Sequence, residues 1–338
     1  MISHSYSLIL LGVMFAPKRA ALSLPKNALF RTRSQFIQST ASVVFFSDIA
    51  RIVSGDQSSV ACAEDFVGKD VTRNTPRYVE SEVQMKYGND AKGNPRTRGV
   101  LVRRFTGDST PYSFPPPRPI SLVKEWPETP PFSKKDFFRA DEGDDENFYN
   151  LPRLVYHIDE PAVASLTQYY RANVSPGSNI LDICSSWVSH YPVEFPKMMK
   201  RISGTGMNAL ELLANDQLTD YEARNLNVNP TLPYDDDSFD VVTCVVSIDY
   251  LIHPIDVLKE VRRVLRPGGK VIISQSNRCF PSKAIAMWLN MNDRQHLELI
   301  NGYLKYAGFN PAKAFDITAS VPGETYYDPM FIVEATAP

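Results

Sequence analysis

Residues 232–274 constrain the fold of this chain more than any other stretch of its sequence. Residues 241–247 form an apolar, β-branched run of the length expected for a strand buried on both faces. Pro254 suits the first turn of a helix, and apolar residues then recur at helical spacing. Residues 267–269 (Pro-Gly-Gly) are predicted to end that helix in a turn, and residues 270–274 resume as a second β-branched strand. This order of elements predicts one unit of a parallel sheet.

The same stretch carries a resemblance to a known family. The runs LPYDDDSFDVV (232–242) and EVRRVLRPGGKVIIS (260–274) resemble the second half of the class I S-adenosylmethionine-dependent methyltransferase domain, type 11-like. Residues 178–182 resemble its first strand, and residues 314–319 and 330–335 resemble its closing antiparallel pair. The resemblance implies an α/β fold: a Rossmann-like seven-stranded sheet, mostly parallel with an antiparallel last strand, and helices on both faces. It also implies S-adenosyl-L-methionine as cofactor.

Three phrases narrow the resemblance to a little-characterised branch found in cyanobacteria and plastid-bearing organisms. They are FYNLPRLVYHIDEPAV (148–163), LDICSSWVSHYP (181–192) and SNRCFPSKAIAMW (276–288). The branch implies no particular substrate.

The loop after the first strand departs from the family pattern, which has several glycines there for close approach of the backbone to the cofactor. Residues 182–190 contain no glycine. The candidates for cofactor contact in this loop are Asp182, Ser185, Ser186 and Trp187. The serine hydroxyls are predicted to donate hydrogen bonds to a carboxylate of the cofactor. The alternative is an ordinary strand-to-helix loop that Trp187 packs.

The end of the next strand departs as well. The family places there an acidic residue that binds both ribose hydroxyls, and in this chain that position falls on Gly206, followed by Met207 and Asn208. A hydrogen bond to a charged group contributes roughly 1.5–3 kcal/mol, so its loss would weaken binding about ten- to a hundredfold. Asn208 or Glu211 could compensate, although Glu211 also suits a solvated helix position.

A third cofactor contact is predicted at Asn225 and Leu226, where the family often has an Asp that meets the adenine amino group. The Asn carbonyl can accept the same hydrogen bond. The alternative for Asn225 is a turn asparagine. Ser247, at the end of the strand 241–247, completes the predicted cofactor-binding set.

Candidates for the acceptor side follow the same strand. Ligands of open α/β sheets bind at the carboxyl edge of the strands, and a nucleophile that carries a proton needs a base. Asp249 and Tyr250 are the first candidates and His190 is the third. Each has a structural alternative, as a helix cap or as a turn or core residue. Arg278 and Lys283 belong to the same edge and predict an anionic group there. The alternative is a surface loop with two scattered cations.

Composition limits the classes of partner. The chain has 338 residues, 43% hydrophobic residues and a net charge of −2, and the acidic runs 141–146 and 235–237 do not favour nucleic acid, which needs a basic surface. The small-molecule acceptor is therefore the expected partner. Its four cysteines have no CxxC spacing, so neither a metal site nor a disulfide framework is predicted.

The N-terminal 63 residues have the composition of a targeting leader. No Asp or Glu precedes Asp48, basic residues accumulate among Ser, Thr and Ala, and the apolar run 6–16 is too short to span a bilayer. The run resembles the two-part leader of algae with secondary plastids, with cleavage expected after residues 61–63 (Ala-Cys-Ala). The mature chain is then expected to have no transmembrane segment. A plastid location follows, in the stroma rather than the thylakoid lumen, with the mitochondrion as alternative.

Residues 64–137 are polar and proline-rich and are interpreted as an arm or linker, with a short strand at 98–105. Residues 138–338 are the methyltransferase-like domain, which begins with a helix around residues 163–170.

Two functions fit these features. One is a plastid methyltransferase that acts on a small molecule, such as a lipid-soluble quinone or a pigment-like compound. The other is a protein that keeps the fold without the cofactor and acts as an assembly or interaction factor with a plastid protein partner. The intact motifs at 232–274 favour the enzyme, and the loop without glycine favours the second function.

Overall fold

The computed structural model describes residues 77–90, 92–108 and 111–338. The predicted leader, residues 1–63, lies outside the described residues. Within the described ranges, no helix is both long and apolar enough to cross a membrane.

Most strands belong to one sheet, which lies between two sets of helices. Its strands are β3 (Arg118–Ile120), β4 (Asn179–Ile183), β5 (Arg201–Gly206), β6 (Asp220–Ala223), β7 (Phe239–Val245), β8 (Leu265–Gln275), β9 (Lys313–Asp316) and β10 (Phe331–Thr336). The helices are α1 (Asp145–Tyr149), α2 (Glu160–Asn173), α3 (Phe195–Met198), α4 (Ala209–Ala214), α5 (Pro254–Val264), α6 (Ala286–Leu289) and α7 (Asp293–Ala307). Two short 3-10 turns cover Lys134–Phe137 and Ile248–Tyr250.

The sheet has the predicted mixed character. The strand order is β3-β9-β10-β8-β7-β4-β5-β6. The pairs β7–β8, β4–β7, β4–β5 and β5–β6 are parallel, whereas β10 is antiparallel to both of its neighbours. The α/β fold with an antiparallel last strand is therefore confirmed. The predicted count of seven strands is one too low, because β3, which precedes the predicted domain, pairs with β9.

Alternate side chains of each central strand face different helices. In β4, Leu181 and Ile183 pack with α5 and α7 on one face of the sheet. Ile180, between them, packs with α2 and α3 on the other face. This is the burial expected of a parallel sheet covered on both sides.

The predicted unit at 232–274 forms with one difference. Helix α5 begins at Pro254 as predicted, and β7 and β8 are parallel neighbours. Residues 267–269 lie inside β8 instead of in a turn, at a register shift against β7. Gly268 has φ +76° there, so the glycines allow the strand to continue through an irregularity.

The described part of the predicted arm packs along the domain. β1 (Tyr78–Asn89) and β2 (Pro95–Phe105) form a separate antiparallel hairpin, and the strand predicted at 98–105 lies within β2. Further along, Trp126 lies on α7 at Gly302, where a Cβ atom would come 2.6 Å from the indole ring. Lys305 Nζ donates a hydrogen bond to the Trp126 carbonyl (2.6 Å).

Candidate functional site

The loop after β4 is organised around one buried carboxylate. Asp182 accepts hydrogen bonds from Ser185 Oγ (2.7 Å), Ser189 Oγ (2.7 Å) and Thr243 Oγ1 (3.0 Å). Burial raises the pKa of Asp182 to about 6, although the three hydroxyl groups oppose that rise. The loop serines therefore satisfy a carboxylate of the chain itself, whereas the sequence predicted that Ser185 would bind a cofactor carboxylate.

The backbone of this loop lies directly against the end of β5. A Cβ atom on Gly206 would be 2.0 Å from the Ser185 carbonyl oxygen and 2.9 Å from its carbonyl carbon. Cys184 and His190 have positive φ, 53° and 59°, so the loop turns sharply without any glycine. The family's acidic residue is absent at position 206 because the loop backbone leaves no room for a side chain there.

Two further loop residues bind a segment that precedes the sheet. We call residues 139–156 the strap. Ser186 Oγ donates to Glu211 Oε2 (2.7 Å), and Glu211 Oε1 accepts from the backbone N–H of Arg153 (2.7 Å). Trp187 Nε1 donates to the Val155 carbonyl (3.1 Å), and the ring is buried beneath the hairpin. Ser186, Trp187 and Glu211 therefore attach the strap to the sheet.

A groove lies between the strap and the ends of β5 and β6. Its volume is about 320 Å³. The lining residues are Glu146, Tyr149, Asn150, Met207, Asn208, Ala209, Leu210, Ala223, Arg224 and Asn225. Three predicted cofactor-binding residues, Met207, Asn208 and Asn225, are thus brought together in one cavity.

The two asparagines of the groove also make internal hydrogen bonds. Asn208 Nδ2 donates to the Tyr149 carbonyl (2.7 Å), and its Oδ1 caps α4. Asn225 Oδ1 accepts from the backbone N–H of Asn227 (3.0 Å), which makes the turn that was the alternative interpretation. The carbonyl oxygen of Asn225 retains a second lone pair for a ligand.

The remaining predicted cofactor residues do not line this groove. Asp182, Ser185, Ser186, Trp187 and Gly206 pack within the loop and strap, as described above. Leu226 is buried in the core, and Ser247 Oγ donates to the Val245 carbonyl (2.7 Å). Sequence reasoning placed these residues by family position, but the packing of this particular loop decides their contacts.

Asp249 and Tyr250 lie together in the 3-10 turn after β7. Asp249 is buried, burial raises its pKa to about 8, and its Oδ2 has no hydrogen-bond partner within the described part of the chain. Tyr250 Oη accepts from the backbone N–H of Phe280 (2.8 Å). Phe148, on the strap, packs against Phe280, with 5.4 Å between the ring centroids. The strap therefore reaches the predicted acceptor side.

His190 lies apart from that pair. Its ring centroid is 5.9 Å from that of Tyr156, and its Nδ1 is buried without a hydrogen-bond partner among the residues that the structure describes. Burial lowers the pKa of His190 to about 3, so the imidazole is neutral. His190 does not line the groove, and the structure gives it the role of a core residue.

The predicted anion site at Arg278 and Lys283 is wrong. Arg278 Nε pairs with Asp328 Oδ1 (2.7 Å), and the fully buried Lys283 Nζ binds Asp145 Oδ1 (3.1 Å) and Asp141 Oδ2 (3.2 Å). Acidic residues of this chain neutralise both cations. In the case of Lys283, the ion pairs fix the start of the strap.

Sequence reasoning missed the strap side of the groove. Glu146, Tyr149 and Asn150 line it, although they precede the first strand of the domain. The acidic run 141–146 and the phrase FYN at 148–150 were the available signals, but neither has a helical or strand period that would place it in space. Among the described residues, no cluster of His, Cys, Asp and Glu has a geometry that could hold a metal ion.

Comparison with known proteins shows that part of the chain is similar to methyltransferases. Residues 195–273 match the family model described as a methyltransferase domain. The chain is 31% identical over 120 residues to a demethylmenaquinone methyltransferase of Bacillus mycoides, which covers 31% of this chain and 48% of that protein. It is 30% identical over 66 residues to a malonyl-[acyl-carrier protein] O-methyltransferase of Marinomonas sp., covering 20% and 24%.

Solved structures include a SAM-dependent methyltransferase from Aquifex aeolicus, at 14% identity and a TM-score of 0.39, covering 54% of this chain and 91% of that one. The chain spans about half the length of the demethylmenaquinone methyltransferases it matches. The family match and the curated relatives support the class I methyltransferase superfamily.

Proposed function

We propose that this chain is an S-adenosylmethionine-dependent methyltransferase that acts on a small molecule. The observation that carries the proposal is the groove at the ends of β5 and β6. Met207, Asn208 and Asn225 line it, and all three lie within the residues that match the methyltransferase domain model.

The groove fits the nucleoside end of that cofactor. Its volume of about 320 Å³ lies at the lower end of the range for ligand pockets, roughly 300–1,000 Å³. Met207 offers an apolar wall for a base, and the Asn225 amide offers hydrogen bonds to its edge. The amino-acid end would lie towards the loop after β4, where side chains of this chain replace the family's open, glycine-lined backbone.

When bound, S-adenosylmethionine supplies a methyl group attached to a positively charged sulfur. The chain's own residues would exclude water and orient the acceptor. Asp249 holds a proton at neutral pH because its pKa is about 8, so it would donate a hydrogen bond to the acceptor rather than remove a proton. Tyr250 is also neutral, since burial holds its pKa well above the usual value.

This arrangement favours an acceptor that does not depend on a strong protein base. An activated ring carbon of a quinone-like compound meets that condition, because its proton leaves only after the methyl group has been added. Several relatives are demethylmenaquinone methyltransferases, which agrees with a quinone-type acceptor.

The proposed location is the plastid stroma, with the mitochondrion as alternative. The support is the acid-free, basic composition of the first 47 residues, together with the resemblance to the cyanobacterial and plastid branch.

A second function is favoured by one observation. In the loop after β4, serine side chains bind Asp182 and attach the strap, and the backbone packs against Gly206. A protein that keeps the fold and acts as a non-catalytic plastid assembly factor would have no need of an open cofactor loop.

Calorimetry with the full-length chain separates the two functions. Titration with S-adenosylmethionine and S-adenosylhomocysteine should give dissociation constants in the micromolar range for the enzyme. Asn225→Ala should weaken binding about tenfold, since it removes one hydrogen bond of roughly 1.5 kcal/mol. The control is Asn290→Ala, at the residue that follows α6 and outside the groove. No binding by a chain that unfolds cooperatively would overturn the enzyme and leave the assembly factor.

A further inference from the structure

We infer that Glu146, on the strap, supplies the carboxylate that binds the ribose hydroxyls in the groove. This inference rests on the proposed function. It assigns to this chain a ribose contact from outside the β-sheet, in place of the contact that Gly206 cannot make.

The steric surroundings of Gly206 decide where a carboxylate can stand. A side chain at position 206 is excluded, because its Cβ atom would lie 2.0 Å from the Ser185 carbonyl oxygen. A carboxylate for the ribose must therefore come from another wall of the groove. Glu146 is the carboxylate among the lining residues, and it stands on the strap wall, which faces β5 and β6.

The Glu146 carboxylate is uncommitted. In the same acidic run, Asp141 and Asp145 pair with Lys283, Glu142 accepts from the Arg139 backbone, and Asp144 caps α1. Within the described ranges, no hydrogen bond or ion pair engages the Glu146 carboxylate, and the residue is exposed. Its two oxygens are therefore free to accept hydrogen bonds from two neighbouring hydroxyls.

The backbone beneath Glu146 is fixed. Asp145, the preceding residue, is buried and binds Arg139 Nη1 (2.8 Å), Lys283 Nζ (3.1 Å) and Asn227 Nδ2 (3.0 Å). Three residues later, Asn208 holds the Tyr149 carbonyl. A carboxylate on such an anchored segment loses less freedom on binding than one on an unattached loop.

The groove also has a cationic side chain, that of Arg224, but its guanidinium group already has partners. Arg224 Nη1 donates to the Thr231 carbonyl (2.7 Å), and Nη2 lies 3.6 Å from Glu222. Since Arg224 is directed to these partners, the groove presents one uncommitted charge, and that charge is negative. A diol, which donates hydrogen bonds, suits it better than a phosphate.

The test is calorimetry on the full-length chain with S-adenosylhomocysteine and its 2′-deoxy analogue. Glu146→Gln keeps the size of the side chain and removes its charge. It should weaken binding of S-adenosylhomocysteine about ten- to a hundredfold and should weaken binding of the 2′-deoxy analogue, which keeps one of the two hydroxyls, by a smaller factor. Glu128→Gln, an exposed arm residue outside the groove, is the matched control and should change neither.

The outcomes are distinct. If the wild-type chain binds S-adenosylhomocysteine and Glu146→Gln binds it equally well, the inference is wrong and the proposed function stands. Equal weakening for both ligands places Glu146 away from the ribose and also overturns the inference. If the folded wild-type chain binds neither ligand, both the inference and the proposed function fail.

Discussion

Gly206 shows how the size of one residue decides the form of the site. Because a Cβ atom would meet the Ser185 backbone at 2.0 Å, Gly206→Ala forces the loop after β4 to move. We expect a loss of about 1–3 kcal/mol in the free energy of unfolding, as for other overpacked sites, measured by urea denaturation. Gly99→Ala is the control: its Cβ atom would come equally close, 2.0 Å, to the tip of the Glu82 side chain. That tip is exposed and can rotate away, so equal losses at both positions would contradict the steric explanation.

Asp249 gives the molecule a pH dependence of known sign. Its pKa in the folded chain is about 8, above the value of about 3.9 expected when unfolded. Between these pH values the folded chain holds a proton that the unfolded chain has lost, so this residue lowers the free energy of unfolding as pH rises towards 8. The slope is roughly 1 kcal/mol per pH unit.

Asp249→Asn removes this titration. Urea denaturation at pH 5, 6.5 and 8 should show that the free energy of unfolding of the variant, relative to the wild-type chain, increases with pH by that slope. The exposed control Asp235→Asn should show no such increase. A difference that stays constant with pH would mean that Asp249 is charged throughout, and the proposed donor role would then fail.

At the scale of elements, helix α7 depends on a residue from the arm. Trp126 is buried against Gly302 and packs with Phe132 and Tyr306. Trp126→Ala should cost about 3–5 kcal/mol of unfolding free energy, as is typical for a buried aromatic residue. Hydrogen exchange should also quicken across β3 and α7. The control Val123→Ala, in the same arm but 68% exposed, should stay within about 0.5 kcal/mol of wild type.

For the whole molecule, the hairpin of β1 and β2 acts as the cover of the loop after β4. Val102 is buried against Trp187 and Val188, whereas its neighbour Leu101 is 57% exposed on the other face. Val102→Asp should therefore release the hairpin, since it would bury an unpaired charge, and hydrogen exchange of residues 184–190 should increase. Leu101→Asp should leave that exchange unchanged. If hydrogen exchange of the loop is the same in both variants, the hairpin does not cover it.

Sequence reasoning recovered the parts of the molecule that depend on local pattern. Helix α5 and strands β7 and β8 follow from the period of their apolar residues, and Met207 and Asn225 follow from family position at strand ends. It failed where contacts join distant segments. The two ion pairs of Lys283 and the place of Glu146 in the groove depend on the strap, which ends 45 residues before β5 begins.

The pairing of β3 with β9 has a consequence for how copies of the chain meet. An unpaired strand at the edge of a sheet offers its backbone N–H and C=O groups to another molecule, and this is a common route to aggregation. Here one edge is β3, which has three residues and contains Pro119, a residue without an N–H to donate. The other edge is β6, which has four residues and carries two acids, the half-buried Asp220 and the exposed Glu222. The arm therefore shields β9, which would otherwise present its own backbone to neighbouring molecules.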